Sequence, residues 1–463
     1  MRINLSSHDL KAADHAHHLH PFTDHGTFGI DDRKVISRAD GVWLWDTDGN
    51  RILDGMAGLW CVNVGHGRSE IVEAVRAQMS ELSYYNTFFK TSHLPVIELS
   101  KMLAEVTPAH MNMVFYGSSG SDSNDTVLRM VRSYWDIMGK PDKKVIISRK
   151  NAYHGSTVAG ASLGGMGGMH GQGDLPIPGI HHIEQPYWFG EGMQSGMSEA
   201  DFGVWAAQEL DRAIEELGED KIAAFIAEPI QGAGGVIVPP DTYWPEVKKI
   251  LDKRDILFIS DEVICGFGRV GEWFGADYYG TTPDFMPIAK GLTSGYLPLG
   301  GVVMSDRVAE AFHNSAAGEF YHGYTYSGHP AACAAAIANL EIVKKEKLVE
   351  RVRDDIGPVL QKFWHALGEH ELVGEARMAG LFGALELVPD KSDLAKRFAN
   401  VGRVGTIARD HSFKNGLVMR AVRDSLIISP PLTLSEEEAG LLAKAARKTL
   451  DDTWQTLKSE GLV

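Results

Sequence analysis

Cysteine is scarce: three residues in 463, at Cys61, Cys265 and Cys333. They are too few and too widely spaced for a disulfide framework, and no zinc-type Cys/His spacing accompanies them. They read as small buried hydrophobes of a protein from a reducing compartment, with no metal. Long apolar runs are missing too. No stretch approaches the ~20 residues needed to cross a bilayer, and the opening Met-Arg-Ile-Asn-Leu-Ser-Ser-His carries no apolar signal core. The expectation is a cytoplasmic protein with no membrane association. Basic charge is in deficit, 45 Lys and Arg against 61 Asp and Glu, a net −16 that repels nucleic acid. Internal repeats and low-complexity linkers are absent. The histidines at His15, His17, His18 and His20 read as a polar N-terminal arm rather than a metal site.

The remaining composition, 44% hydrophobic and 23% charged, is that of a globular enzyme, and the length exceeds what one core fills. Around residues 33–62, Val42-Trp43-Leu44-Trp45 and Ile52-Leu53 flank the turn signals Asp46–Gly49, predicting a small antiparallel sheet. Helical spacing follows at 69–82 and 95–106. From about residue 113, short apolar runs alternate with amphipathic segments. Val145–Ile147, Ala223–Ala227, Ile256–Ile259 and Gly301–Met304 read as buried strands, with Ala206–Leu217 and Tyr243–Arg254 as intervening helices. That alternation predicts an α/β, mainly parallel sheet covered on both faces, with ligands at the carboxyl ends of its strands. A helix starts near Ala331, and a second, smaller domain follows. The expected division is 1–65 and 331–463 for the smaller domain and 66–330 for the larger one.

The chemistry-bearing residues follow the apolar runs. Glu228 ends one, and Asp261-Glu262 ends Ile256–Ser260. Burial of Asp261 without a cation would be costly, and a protonated pyridine nitrogen is a suitable partner. Val263, two residues on, points to the same side. Lys290 lies one strand–helix–strand unit downstream, before Gly291. Taken alone it reads as a surface lysine; with Asp261 it reads as an imine-forming amine. Gly117-Ser118-Ser119-Gly120-Ser121 precedes a helical run from Thr126 to Asp136, which makes Ser119, Gly120 and Ser121 a candidate phosphate cup. Tyr153 is placed to stack on an aromatic cofactor, with His154 beside it. The glycine-rich Gly164–Gly168 lacks the preceding strand and following acid of a dinucleotide loop.

Together, Ser119–Ser121, Tyr153–Gly155, Glu228–Gly232, Asp261–Arg269, Ala289–Gly291 and Thr325–Pro330 resemble the class III (omega) aminotransferases, from about Phe22 to Pro431. Met56–Val64 and Tyr85–Phe89 are similar to the amine:pyruvate branch, putrescine–pyruvate enzymes in particular. The resemblance implies the aspartate-aminotransferase-like fold (PLP fold type I), with a large domain built on a mainly parallel sheet and a smaller α+β domain. It implies pyridoxal 5′-phosphate as cofactor, held as a Schiff base by Lys290, which also moves the proton. Asp261 would pair with the ring nitrogen, Val263 and Tyr153 would sandwich the ring, and Gly120 and Ser121 would bind the phosphate. Glu228 and His154 belong to the same cofactor set. Thr325 would reach the phosphate in a neighbouring subunit, implying a homodimer, with a tetramer left open. Phe22, Leu59, Trp60, Phe88 or Phe89, Tyr153 and Tyr324 would line the substrate pocket.

Arg420 matches an arginine that binds a substrate carboxylate in related enzymes, with Arg423 a rival by position alone. Ornithine and GABA aminotransferases carry a glutamate partner for it where this chain has Ala233. Ser121-Asp122-Ser123-Asn124 stands where Ser-Glu-Ala-Asn is commoner, and Gly167 and Gly168 replace bulkier residues of some relatives. The implied activity is ping-pong transfer from a primary amine or diamine, taurine and β-alanine included, to pyruvate, giving alanine. The alternatives are an aminomutase or racemase of this fold and a non-catalytic regulatory protein. Intact Lys290 and Asp261 argue against the second.

Overall fold

A computed structural model describes residues 5–463. Its N-terminal sheet comprises β1 (Ile36–Asp40), β2 (Trp43–Asp46) and β3 (Arg51–Leu53), an antiparallel meander. The central sheet comprises β4 (Met111–Gly117), β5 (Val145–Arg149), β6 (Ile180–Ile183), β7 (Ile222–Ala227), β8 (Leu257–Ser260), β9 (Phe285–Ile288) and β10 (Gly300–Ser305). A third sheet holds β11 (Val373–Ala379), β12 (Phe382–Leu387), β13 (Arg420–Val422) and β14 (Ser425–Ile428).

The central order is β4-β10-β9-β8-β7-β5-β6, and only β10 runs against its neighbours. Every residue of β7, β8, β9 and β10 is buried, as expected of strands covered on both faces. Helices Gly120–Ile137 and Glu199–Leu217 supply two of the covering layers. Val127, Val131 and Trp135 of the first pack on Ala224, Ile226 and Leu257, and Phe202, Leu210 and Ile214 of the second pack on Phe225 and Phe258.

The chain's two ends share one core. Val42, Leu53 and Val64 pack with Leu360, Leu385, Leu426 and Leu450, and the Leu53 N–H donates to the Gly416 carbonyl at 2.8 Å. Helix Pro330–Lys345 packs against Ser69–Glu81 and Leu94–Ala104. Fully buried Arg269 donates to the Leu381 carbonyl at 3.2 Å and to Asn63 Oδ1 at 2.8 Å, and it also reaches the Pro430 carbonyl. One side chain after β8 thereby holds segments from both ends of the sequence around the strand tips.

Candidate active site

A small cleft opens at the carboxyl ends of β5, β7, β8 and β9. Asp261, Lys290, Tyr153, Val263 and Gly120 line it, together with His154 and Glu228. Asp261 is 3% exposed, and its oxygens are fixed from three directions. Oδ2 accepts from His154 Nδ1 at 2.7 Å and from Asn124 Nδ2 at 2.9 Å, while Oδ1 accepts from the Val263 N–H at 3.1 Å. The last bond turns the chain so that Val263 faces the cavity. Glu228 is also buried. It accepts from the Tyr153 N–H at 3.1 Å and the Gly232 N–H at 2.9 Å, and burial raises its pKa. The neighbouring Glu262 faces away, onto the Gly275 and Ala276 N–H groups, and burial pushes its carboxyl up to about 8.

Lys290 follows β9 with φ +45°, in the left-handed region uncommon for a side-chain-bearing residue. Burial, foremost, pulls its ammonium below the ordinary lysine value. Cys61, Asp261 and Glu228 oppose that shift, and Arg420 adds to it. Its Nζ lies 4.9 Å from the centre of the Trp60 ring, and the Arg420 guanidinium lies 4.8 Å from the same ring. Trp60 is 3% exposed and has its indole Nε1 without a hydrogen-bond partner. Arg420 has no carboxylate within ion-pair distance among the described residues, and burial lowers its pKa. Arg423 sits in the β13–β14 turn with φ +53° and is exposed, so the strand aims Arg420, not Arg423, at the site.

The anion end is the start of helix Gly120–Ile137. Ser119 caps it: its hydroxyl accepts from the Asp122 N–H at 3.2 Å and donates to Asp122 Oδ1 at 3.0 Å. The cap occupies the Ser119 side chain, so the donors that remain are the Gly120 and Ser121 N–H groups, which have no intrahelical partner, and the Ser121 hydroxyl, which accepts from the Ser156 N–H at 3.0 Å. Gly120 lets the loop approach Val263 closely, since a Cβ there would stand 3.0 Å from both Val263 methyls and push them aside.

The remaining candidates fall into two groups. Phe22, 72% exposed, meets the Tyr153 ring at 6.3 Å, and Ala233 shares an apolar cluster with Trp60 and Tyr153. Leu59 is exposed beside Trp60. Phe88, Phe89, Tyr324 and Thr325 lie outside this chain's cavity lining. Phe89 and Thr325 are exposed, the Thr325 carbonyl accepts from Tyr84 Oη at 2.6 Å, and Tyr324 Oη donates to the Asp122 carbonyl at 2.9 Å. Sequence reasoning missed Asn124 as the bridge to Asp261. Its signal was a polar residue on the buried face of an otherwise apolar helix stripe.

The family described as aminotransferase class-III matches residues 30–450. A putrescine–pyruvate aminotransferase of Pseudomonas aeruginosa is 58% identical, covering 97% of both chains. A diaminobutyrate–2-oxoglutarate transaminase of Halomonas elongata is 40% identical, covering 99% of this chain and 98% of its own. Among solved structures, an (S)-enantioselective omega-transaminase from Thermomicrobium roseum is 41% identical with a TM-score of 0.92, covering 98% of this chain and all of its own. The Pseudomonas jessenii omega-transaminase in complex with PMP is 39% identical, with a TM-score of 0.94 over 97% of this chain and 99% of its own.

Proposed function

The chain belongs to the class-III aminotransferases, which depend on pyridoxal phosphate, and from that premise we propose that it transfers the amino group of a primary amine or diamine to pyruvate, releasing alanine. The donor class is putrescine-like, with taurine and β-alanine as further candidates. The observation that carries the acceptor side is Arg420, a half-buried guanidinium without a carboxylate partner that points at the same tryptophan as Lys290. A keto acid's carboxylate would supply the missing anion in bidentate geometry.

The cavity suits the cofactor on its own terms. Its walls are Tyr153 and Val263, one end holds a buried carboxylate, and the other holds free helix N–H groups. His154 Nε2 and Asn124 Oδ1 are buried without partners at the same place. Asp261 would face the ring nitrogen, Tyr153 and Val263 would hold the ring, and Gly120 and Ser121 the phosphate. When bound, the cofactor supplies the electron sink that lets the carbon bearing the donor's nitrogen lose its proton. Lys290 Nζ would take that proton and hand it to the cofactor carbon beside the transferred nitrogen, and would run the same transfer in reverse in the acceptor half; taking the proton requires a neutral amine. Its burial favours that form at lower pH than for an exposed lysine. Glu228 and His154 act by fixing Tyr153 and Asp261, respectively.

Thr325, Phe88 or Phe89, and Tyr324 belong to the site only if a second copy supplies them. The reading is therefore a cytoplasmic homodimer with Thr325 reaching the partner's phosphate. Exposed Tyr84, Tyr85, Phe89, Tyr321 and Tyr326 near this segment support an apolar contact there.

Arg420→Ala tests the acceptor assignment. Removal of a desolvated cation from its anion costs about 2–5 kcal/mol, so the rate with limiting pyruvate should fall roughly 30- to 4 × 10³-fold at about 1.4 kcal/mol per decade. The single-turnover half-reaction with an amine should change little. Equal losses in both halves would refute the assignment.

A further inference from the structure

The small sheet presents two cross-strand rows to the large domain. Its register pairs Arg377 with Ala384, Ala384 with Ile427, and Ile427 with Arg420. The adjacent row runs Glu375, Glu386, Ser425, Val422. Residues two apart on a strand share a face, so Arg377 and Arg420 stand at opposite ends of one row.

Their surroundings are opposite. Arg420 has no carboxylate partner among the described residues, whereas Arg377, 9% exposed, pairs with Glu375 and, at 3.1 Å, with Glu386. Glu386 Oε2 also accepts from Tyr187 Oη and Ser425 Oγ, both at 2.6 Å. The guanidinium's remaining donors cross to the large domain: Nε to the Val236 carbonyl at 2.8 Å and Nη2 to the Gly235 carbonyl at 2.7 Å. Those carbonyls belong to the loop that carries Ala233. Val236 is held there at φ +52°, an uncommon conformation for a β-branched residue that surrounding structure must enforce. Val236 and Ala233 pack with Trp60 and Ile427, the ring under Arg420 and its cross-strand neighbour.

We infer that Arg377 is a positioning residue for the carboxylate-bearing substrate: by clamping the 232–236 loop to the small sheet, it sets the spacing at which Arg420 reaches over Trp60. The carboxylates around it neutralise the other cation of the row, so Arg420 is left as the one that meets the substrate. This rests on the reading of Arg420 as the acceptor's partner. It adds a role to a side chain outside the cavity lining.

The test compares wild type, Arg377→Gln and Arg377→Lys as holoenzymes, each half-reaction followed separately by cofactor absorbance. Coupling within a shared network of about 1.4 kcal/mol predicts a roughly tenfold higher KM for pyruvate in Arg377→Gln. The amine half-reaction should stay within about twofold, and Arg377→Lys should recover part of the loss because the charge remains without the forked clamp. Equal losses in both halves, or an unchanged pyruvate KM, overturn the inference. If Arg377→Gln does not fold, Tyr187→Phe takes its place: a rise of about threefold in pyruvate KM is expected from the loss of one network hydrogen bond, and no rise overturns the proposal. A wild type that ignores pyruvate but uses another 2-oxo acid contradicts the acceptor reading alone, and the same comparison then runs with that acid.

Discussion

Lys290→Ala is expected to lower turnover by at least the roughly 10²- to 10⁴-fold that a positioned proton carrier supplies. Three features of the lysine support so large an effect. It is held in a left-handed conformation at φ +45° after β9, its ammonium is destabilised first by burial, and its Nζ lies over the Trp60 ring at 4.9 Å with no hydrogen-bond partner among the described residues. A structural lysine would have a carbonyl or carboxylate to bind; Lys143, by contrast, donates to the Ile222 carbonyl at 3.2 Å. Arg420 lies over the same Trp60 ring, and its like charge further disfavours the protonated amine. The check is kcat with saturating amine and pyruvate, together with the visible absorbance of the bound cofactor. Retention of wild-type kcat after loss of the covalently held cofactor's absorbance would show that Lys290 is not the proton carrier.

Asp261→Asn should be nearly as damaging while leaving the cavity's shape intact. Removal of one charge from a buried pair costs about 3–5 kcal/mol, which is roughly 10²- to 4 × 10³-fold in rate at about 1.4 kcal/mol per decade. Asparagine also fits its neighbours poorly. Asp261 accepts from His154, Asn124 and the Val263 N–H, and an amide nitrogen in place of either oxygen would turn a donor toward a donor. The measurement is kcat/KM at saturating cofactor, so that weaker cofactor binding is separated from slower chemistry. Wild-type rates would mean that the carboxylate serves only to orient His154 and the helix.

Much of this was legible before the fold was known, for identifiable reasons. β7 and β8 are uninterrupted apolar runs, so their ends marked Glu228 and Asp261 directly. Three central strands were not legible. β9 contains Pro287, which ordinarily argues against an inner strand, yet its carbonyl still accepts from the Glu262 N–H. β6 reads Ile-His-His-Ile and lies at the sheet edge, and β4 opens on Met-Asn-Met with Asn112 and Met113 exposed. The helix after the phosphate cup begins at Gly120 rather than near Thr126, because Ser119 and Asp122 form a capping box that small polar residues disguise as a turn.

Long-range juxtapositions were beyond reach for a different reason. Trp60 and Arg420 are 360 positions apart in sequence and meet only because Leu53 and Val418 pair across the chain's two ends. By position alone Arg420 and Arg423 were equivalent; hairpin geometry sends one inward and the other to solvent. The Arg377 row depends on sheet register, which hydrophobic pattern alone does not specify between strands separated by a long insertion. Ser119 shows the reverse: the sequence offered it as an anion ligand, and the local cap took its hydroxyl.

On the proposed function, Lys290 and Arg420, both over the Trp60 ring, serve two successive substrates, an amine and pyruvate. The most direct test is alanine formation in a donor panel with putrescine, taurine, β-alanine and an arylalkyl amine, with pyruvate as the fixed acceptor. One alanine is expected for each amine consumed with at least one of these donors, and none when either substrate is omitted. Amine isomerised or racemised without pyruvate, with no alanine released, would contradict it.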